Sequence, residues 1–158
     1  MVNILFKKSY LHKNFKKIAY DNLWNTKGVF TTIRMKGCPP NFIFLREHLD
    51  NLNQSMKKLN INFVINFTIF NNLLEKEFYK NTNYNHLLRI AINNKKISID
   101  LRKRLNPHKL FKGILLNYKR SNPHIKNLYY KKILKLLRSV NTSSNEIILF
   151  NQAKVLEG

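Results

Sequence analysis

Residues 121–134 read SNPHIKNLYYKKIL, and this stretch decides how the second half of the chain is built. A turn at Pro123 leads to Lys126, and a helix with a clean apolar stripe follows. Tyr130, Ile133, Leu134 and Leu137 fall at i, i+3, i+4 and i+7, the spacing of one helical face, while Lys131, Lys132, Lys135 and Arg138 take the other. A helix of this kind has to lay its stripe on something flat. The runs on either side, LFKGILLNYK (110–119) and NEIILFN (145–151), have strand composition and supply a sheet. Lys126 is therefore expected at the turn of a β-α-β passage, not on an exposed helix face like the other lysines.

Upstream the elements alternate and nothing repeats. After a polar, basic opening, GVFTTIRMK (28–36) reads as a strand, and the Gly37–Pro40 cluster turns it into NFIFL (41–45) as a hairpin. Leu45, Leu49, Leu52, Met56 and Leu59 then recur at helical spacing through LREHLDNLNQSMKKL. Phe70, Leu73, Leu74 and Phe78 mark a second helix in TIFNNLLEKEFYK (68–80). HLLRIAI (86–92) and KISIDL (96–101) read as two strands joined by the polar NNKK. The predicted class is mixed α/β or α+β.

The chain has 158 residues, 44% of them hydrophobic, enough for one substantial core and the start of a second. Lys and Arg number 29 against 8 acidic residues, a formal charge of +21 that favours polyanionic partners. Abundant Asn, Ile, Lys, Phe and Tyr, all read from A- and T-rich codons, make charge alone a weak guide to function. The single Cys38 cannot form an internal disulfide, which fits a reducing compartment. No apolar run reaches the ~18–20 residues of a membrane span, and the first residues lack a signal-peptide pattern, so a cytoplasmic protein is expected. No metal site is expected.

Four segments carry a resemblance in order and spacing. GVFTTIR, REHLDNLNQSMKKLNI, SNPHIKNLYY and the terminal EIILFNQAKVLEG resemble the class IV pyridoxal-phosphate enzymes, which include branched-chain and D-amino-acid aminotransferases. Within the family the 4-amino-4-deoxychorismate lyases are the most similar, through Phe30, Thr31, Thr32 and Arg34 and through RSNPHIK (120–126). The resemblance implies a two-domain class IV fold, with a small α/β domain at 1–117 and the start of a large cofactor-binding domain at 118–158. It further implies that the large domain is incomplete, since family members continue beyond the equivalent of Gly158.

The same resemblance assigns residues. Lys126 is the amine that bonds to pyridoxal 5'-phosphate, which requires a partly desolvated lysine. Glu157 is the anion at the pyridine nitrogen, where protonation makes the ring an electron sink. Asn51 stands where the family has an arginine on the cofactor phosphate, and an amide offers a hydrogen bond without charge. Tyr129 or Tyr130 could reach the cofactor's phenolic oxygen. Arg34, Arg89 and Arg120 are candidates for substrate carboxylates, for which a planar guanidinium is suited; Arg34 and Arg89 alternate with apolar neighbours and could equally mark a wet sheet face. His48 is a structural position in the family, and His124 a loop residue.

The implied activity is conversion of 4-amino-4-deoxychorismate to 4-aminobenzoate and pyruvate by a homodimer, with class IV amino-acid transamination as the alternative. A different class of function stays open from composition: a small basic nucleic-acid-binding or ribosome-associated protein. Its support is the charge and the aromatics interleaved with Lys and Arg in YKRSNPHIKNLYYKKILKLLRS (118–139).

Overall fold

The computed structural model describes residues 4–78, 81–106, 109–110, 112–119, 122, 124–129, 131–141, 144–152 and 154–157, apart from the side chains of Arg138 and Glu157. Two compact units emerge: Val2–Arg104 together with Lys126–Tyr129, and Met1, Leu105–Ile125 and Tyr130–Gly158. The division falls after Arg104, upstream of the boundary expected at 117, because the strand at 112–117 pairs with 145–150 and not with the earlier sheet.

The first unit holds a six-stranded sheet with the order β2-β1-β6-β5-β3-β4. Its strands are β1 (Ile4–Leu11), β2 (Lys17–Ile18), β3 (Gly28–Gly37), β4 (Asn41–Phe42), β5 (Tyr84–Asn93) and β6 (Lys96–Lys103). The expected hairpin from 28 to 45 forms, although its second strand is only two residues long. The β5–β6 hairpin turns at Asn94 and Lys95, where the Asn93 side chain accepts from the amides of Lys95 (3.0 Å) and Lys96 (2.8 Å). An asparagine bonding its own downstream backbone is a turn former, which is why NNKK works here without glycine. The polar, basic opening, to which the sequence reading assigned no element, holds strand β1, paired antiparallel along β6.

Two helices follow β4. α1 (Leu45–Lys58) buries Leu45, Leu49, Leu52 and Met56, four of the five residues of the expected stripe, and packs against β3, while the fifth, Leu59, is the half-buried C-cap. α2 (Phe67–Glu77) is capped by Asn66, whose side chain accepts from the Ile69 amide at 3.1 Å, and buries Phe70 and Leu74. Alternation along β3 sends Val29, Thr31, Ile33 and Met35 inward, all buried, and leaves Arg34 and Lys36 exposed. On that other face Leu23, Ala91 and Leu128 form a small separate core, with Trp24 and Phe30 packed on it.

The second unit contains β7 (Lys112–Asn117), α3 (Lys131–Ser139), β8 (Asn145–Asn151) and β9 (Lys154–Glu157). β7 and β8 are parallel, with α3 between them in sequence, and β8 turns back into β9. The β-α-β passage is therefore present. Its helix is rotated from the expected face: Ile133 is buried with Ile147 and Leu149, the partly buried Leu136 and Val140 pack against them, and Leu137 is 36% exposed. Tyr130 lies outside the described residues. No described helix is long and apolar enough to cross a membrane.

Candidate active site

The segment carrying Lys126 is built onto the first unit by backbone pairing. β4 pairs with β3 only at Met35 and Lys36, so the opening residues of β3 have a vacant edge on that side. Lys126–Leu128 takes it. The Phe30 amide donates to the Lys126 carbonyl (2.8 Å), the Leu128 amide to the Gly28 carbonyl (2.9 Å), and Val29 and Asn127 form an antiparallel bridge. The Asn25 amide donates to the Leu128 carbonyl at 2.9 Å, closing the segment from a third direction. Leu128 is fully buried, and Asn127 bonds the Tyr129 amide through its side chain at 3.1 Å.

Gly28 makes this docking possible. A Cβ there would sit 2.3 Å from the Ile92 carbonyl oxygen and 2.6 Å from a Leu128 methyl, so no larger residue fits between β5 and the Lys126 segment. The base of Lys126 is thereby fixed while its side chain stays exposed.

Beside this segment, on the α1 side of β3, lies a pair the sequence did not single out. The Thr31 hydroxyl and His48 Nδ1 are 2.8 Å apart. His48 flanks the apolar stripe of α1 and is half-buried. Burial holds its pKa below the ordinary value of 6.5, and the nearby positive charge of Lys126 pushes in the same direction, against a smaller opposing effect of Glu47. His48 is accordingly neutral at pH 7. Asn51, one helical turn further along α1, is exposed.

The arginines divide. Arg34 is exposed on β3 and donates from Nη2 to the Asn85 side chain at 3.2 Å. Arg89 is a core residue, which removes it from the substrate-binding set. It is 1% exposed; Nε donates to Asp100 at 2.7 Å, Nη2 to the Asn22 carbonyl at 2.8 Å, and the guanidinium lies 4.4 Å from the Trp24 ring centre. Asp100, itself fully buried, also accepts from Arg102 at 2.5 Å and from the Tyr20 hydroxyl at 3.3 Å. Nη1 of Arg89 is buried without a hydrogen-bond partner among the described residues. Neither a wet sheet face nor a substrate contact describes this position. Tyr129 is 59% exposed. Arg120 and Tyr130 lie outside the described residues, as does the side chain of Glu157, whose backbone belongs to β9 in the second unit.

The family model described as Amino-transferase class IV matches residues 28–158. The chain belongs to that family. No curated protein sequence matches it. Among solved structures, a hypothetical aminotransferase from Mycobacterium tuberculosis in its PLP-bound form aligns with TM-score 0.65 at 12% identity, over 95% of this chain and 64% of that one. A putative 4-amino-4-deoxychorismate lyase from Legionella pneumophila gives 0.58 at 19%, over 82% and 56%. The branched-chain aminotransferase of the archaeon Thermoproteus uzoniensis, with norvaline, gives 0.64 at 16%, over 94% and 61%. These likenesses show the class IV fold. This chain spans less than two thirds of the length of each of those structures.

Among the class IV chain's own residues, the lysine end of a carbonyl cofactor fits what is present: an amine on a base held by two backbone hydrogen bonds, with an accessible tip. The phosphate end is met at Asn51 by an exposed, uncharged amide.

Proposed function

We propose that the chain provides the lysine-bearing part of a pyridoxal-phosphate-dependent class IV enzyme, acting as a homodimer that converts 4-amino-4-deoxychorismate to 4-aminobenzoate and pyruvate. The observation that carries this reading is the seating of Lys126. Of the many lysines in the chain, this one has its backbone bonded into the edge of β3, at the position that the class IV resemblance gives to the cofactor lysine. The similarity to lyase structures and the Phe30–Thr31–Thr32–Arg34 segment favour lyase chemistry over transamination. The higher TM-score to a branched-chain aminotransferase favours transamination as the second reading.

When bound, pyridoxal phosphate supplies a conjugated ring that accepts the electron pair left on a substrate carbon. The residues of this chain do the rest. Lys126 would hold the cofactor's carbonyl end, and its amine would take the proton from the substrate carbon that bears nitrogen. By the class IV resemblance, Glu157 would keep a proton on the ring nitrogen. By the same resemblance, Asn51 would donate a hydrogen bond to the phosphate, and Tyr129 or Tyr130 would meet the phenolic oxygen. Arg34 and Arg120 offer guanidinium groups to substrate carboxylates.

The test is trapping. The purified chain is mixed with pyridoxal phosphate, reduced with borohydride and mapped by peptide mass spectrometry. Lys126 should carry the dominant pyridoxyl label, and Lys126→Ala should lose that label without gaining another. Label spread evenly over exposed lysines, with Lys126 no richer than the rest, would sink the reading. Formation of 4-aminobenzoate, against transfer of an amino group to a keto acid, then separates the two activities.

A further inference from the structure

Three loops meet at one end of the six-stranded sheet. The β1–β2 turn contributes His12, Lys13 and Lys16, the β5–β6 turn contributes Asn94 and Lys95, and the approach to β3 contributes Asn25 and Lys27. Hydrogen bonds tie them together: the His12 amide donates to the Lys95 carbonyl (3.1 Å), the His12 ring Nε2 lies 2.6 Å from the Asn94 carbonyl, and Asn93 donates to Thr26 Oγ1 (3.4 Å). The register places the end of β1 opposite Lys96 and the start of β3 opposite Asn93, so the loops cap neighbouring strands in the order β1, β6, β5, β3. At about 4.8 Å per strand, this end is roughly 14 Å across.

Its charge is one-sided. Lys13, Lys16, Lys27 and Lys95 are all exposed, and the segments 12–16, 25–27 and 94–95 contain no acidic residue. The carboxylates on adjoining segments are already engaged: Asp21 by Lys96 at 2.9 Å, and Glu77 by Lys8 and Tyr10, with Lys17 also acting on it. The exposed side chains set among the four lysines are Asn14, Asn25 and Asn94, which donate and accept hydrogen bonds. A bilayer surface is engaged by apolar side chains together with charge. Cations interleaved with amides suit phosphate oxygens spaced along a chain.

We propose that this end of the sheet is a docking surface for the phosphate backbone of a nucleic acid. It is independent of the chemistry at Lys126. With four lysines each replacing counterions, the logarithm of the binding constant should fall against the logarithm of salt with a slope of about −3.

The experiment measures fluorescence anisotropy of the full chain with a labelled, mixed-sequence DNA single strand across a salt series. The variant replaces Lys13, Lys16, Lys27 and Lys95 with Gln. A control removes the same charge from elsewhere in the same unit, through Lys36, Lys57, Lys58 and Lys76→Gln, all exposed. Circular dichroism checks that both fold. The sheet-end variant should lose at least tenfold in affinity and most of the slope, with the control close to the parent protein. Equal loss in both variants would show diffuse charge without a surface and overturn the proposal. So would absence of binding by the parent, or binding to anionic phosphatidylserine vesicles that the DNA strand fails to displace.

Discussion

The amide of Phe30 donates to the carbonyl of Lys126 at 2.8 Å, joining an early strand to a residue far along the chain. Because neighbouring Thr31 is hydrogen-bonded to His48, the same stretch of β3 seats the candidate catalytic lysine and braces a histidine of α1. Changes on either side of β3 should therefore be read at Lys126.

Gly28→Ala should loosen the lysine segment. The added carbon overlaps the Ile92 carbonyl oxygen and the Leu128 methyl, and overpacking of this kind costs about 1–3 kcal/mol. Urea unfolding should report that loss. Borohydride labelling of the folded variant should show Lys126 no longer preferred, whereas a variant labelled like the parent would mean that the docking does not govern the amine.

His48 should make stability depend on pH. Its pKa is lower folded than unfolded, so between the two values the unfolded chain binds more protons and stability rises with pH. The contribution is complete above about 6.5 and is lost as pH falls through the folded value. An NMR titration should place the His48 midpoint below 6.5, and Lys126→Met should move it upward. An unmoved midpoint would show that Lys126 does not act on His48.

Arg89→Met alone should destabilise the fold by up to about 3–5 kcal/mol, since the buried Asp100 carboxylate loses its buried partner and is left with Arg102 and the Tyr20 hydroxyl. Pairing it with Asp100→Leu should recover a large part of this loss. Chemical denaturation of both singles and the double closes the cycle, and additive losses would contradict a coupled buried pair.

Asn51→Arg should tighten retention of pyridoxal phosphate without helping pyridoxal, which lacks the phosphate. A charge-assisted bond is roughly twice as strong as a neutral one, and the substitution lies on an exposed helical surface. Equilibrium dialysis with both ligands gives the comparison. Equal gains for both would place the new guanidinium away from the phosphate.

Much of this architecture is legible in the sequence because its periodicities are strong. The α1 stripe, the β5–β6 hairpin and the parallel β7–β8 pair all follow from apolar spacing and turn residues. β1 escapes such a reading because ILFKKSYL (4–11) is interrupted by lysines and leaves Ile4 and Leu5 exposed, so it shows no clean alternation. The α3 face differs from the expected one because Leu134, Leu136 and Leu137 all offer apolar surface, and only the sheet chooses among them. For Arg89 a signal is present. A two-residue turn at Asn94 and Lys95 sets Arg89 opposite Asp100, so a cross-strand pair of opposite charges follows once that turn is placed, whereas its burial comes from the packing of Trp24 and its neighbours. His48 and Thr31 offer no such signal, because their meeting depends on how α1 lies over β3.

The strip at 126–129 also bears on how the protein can be dissected. Gly28 and Leu128 meet across about a hundred residues, a closure whose entropic cost grows slowly with length but delays the contact during folding. A truncation ending at Arg104 would expose the amide and carbonyl groups at the start of β3, the kind of bare strand margin that recruits other chains. Supplying residues 124–129 as a synthetic peptide in trans offers a direct way to restore that margin.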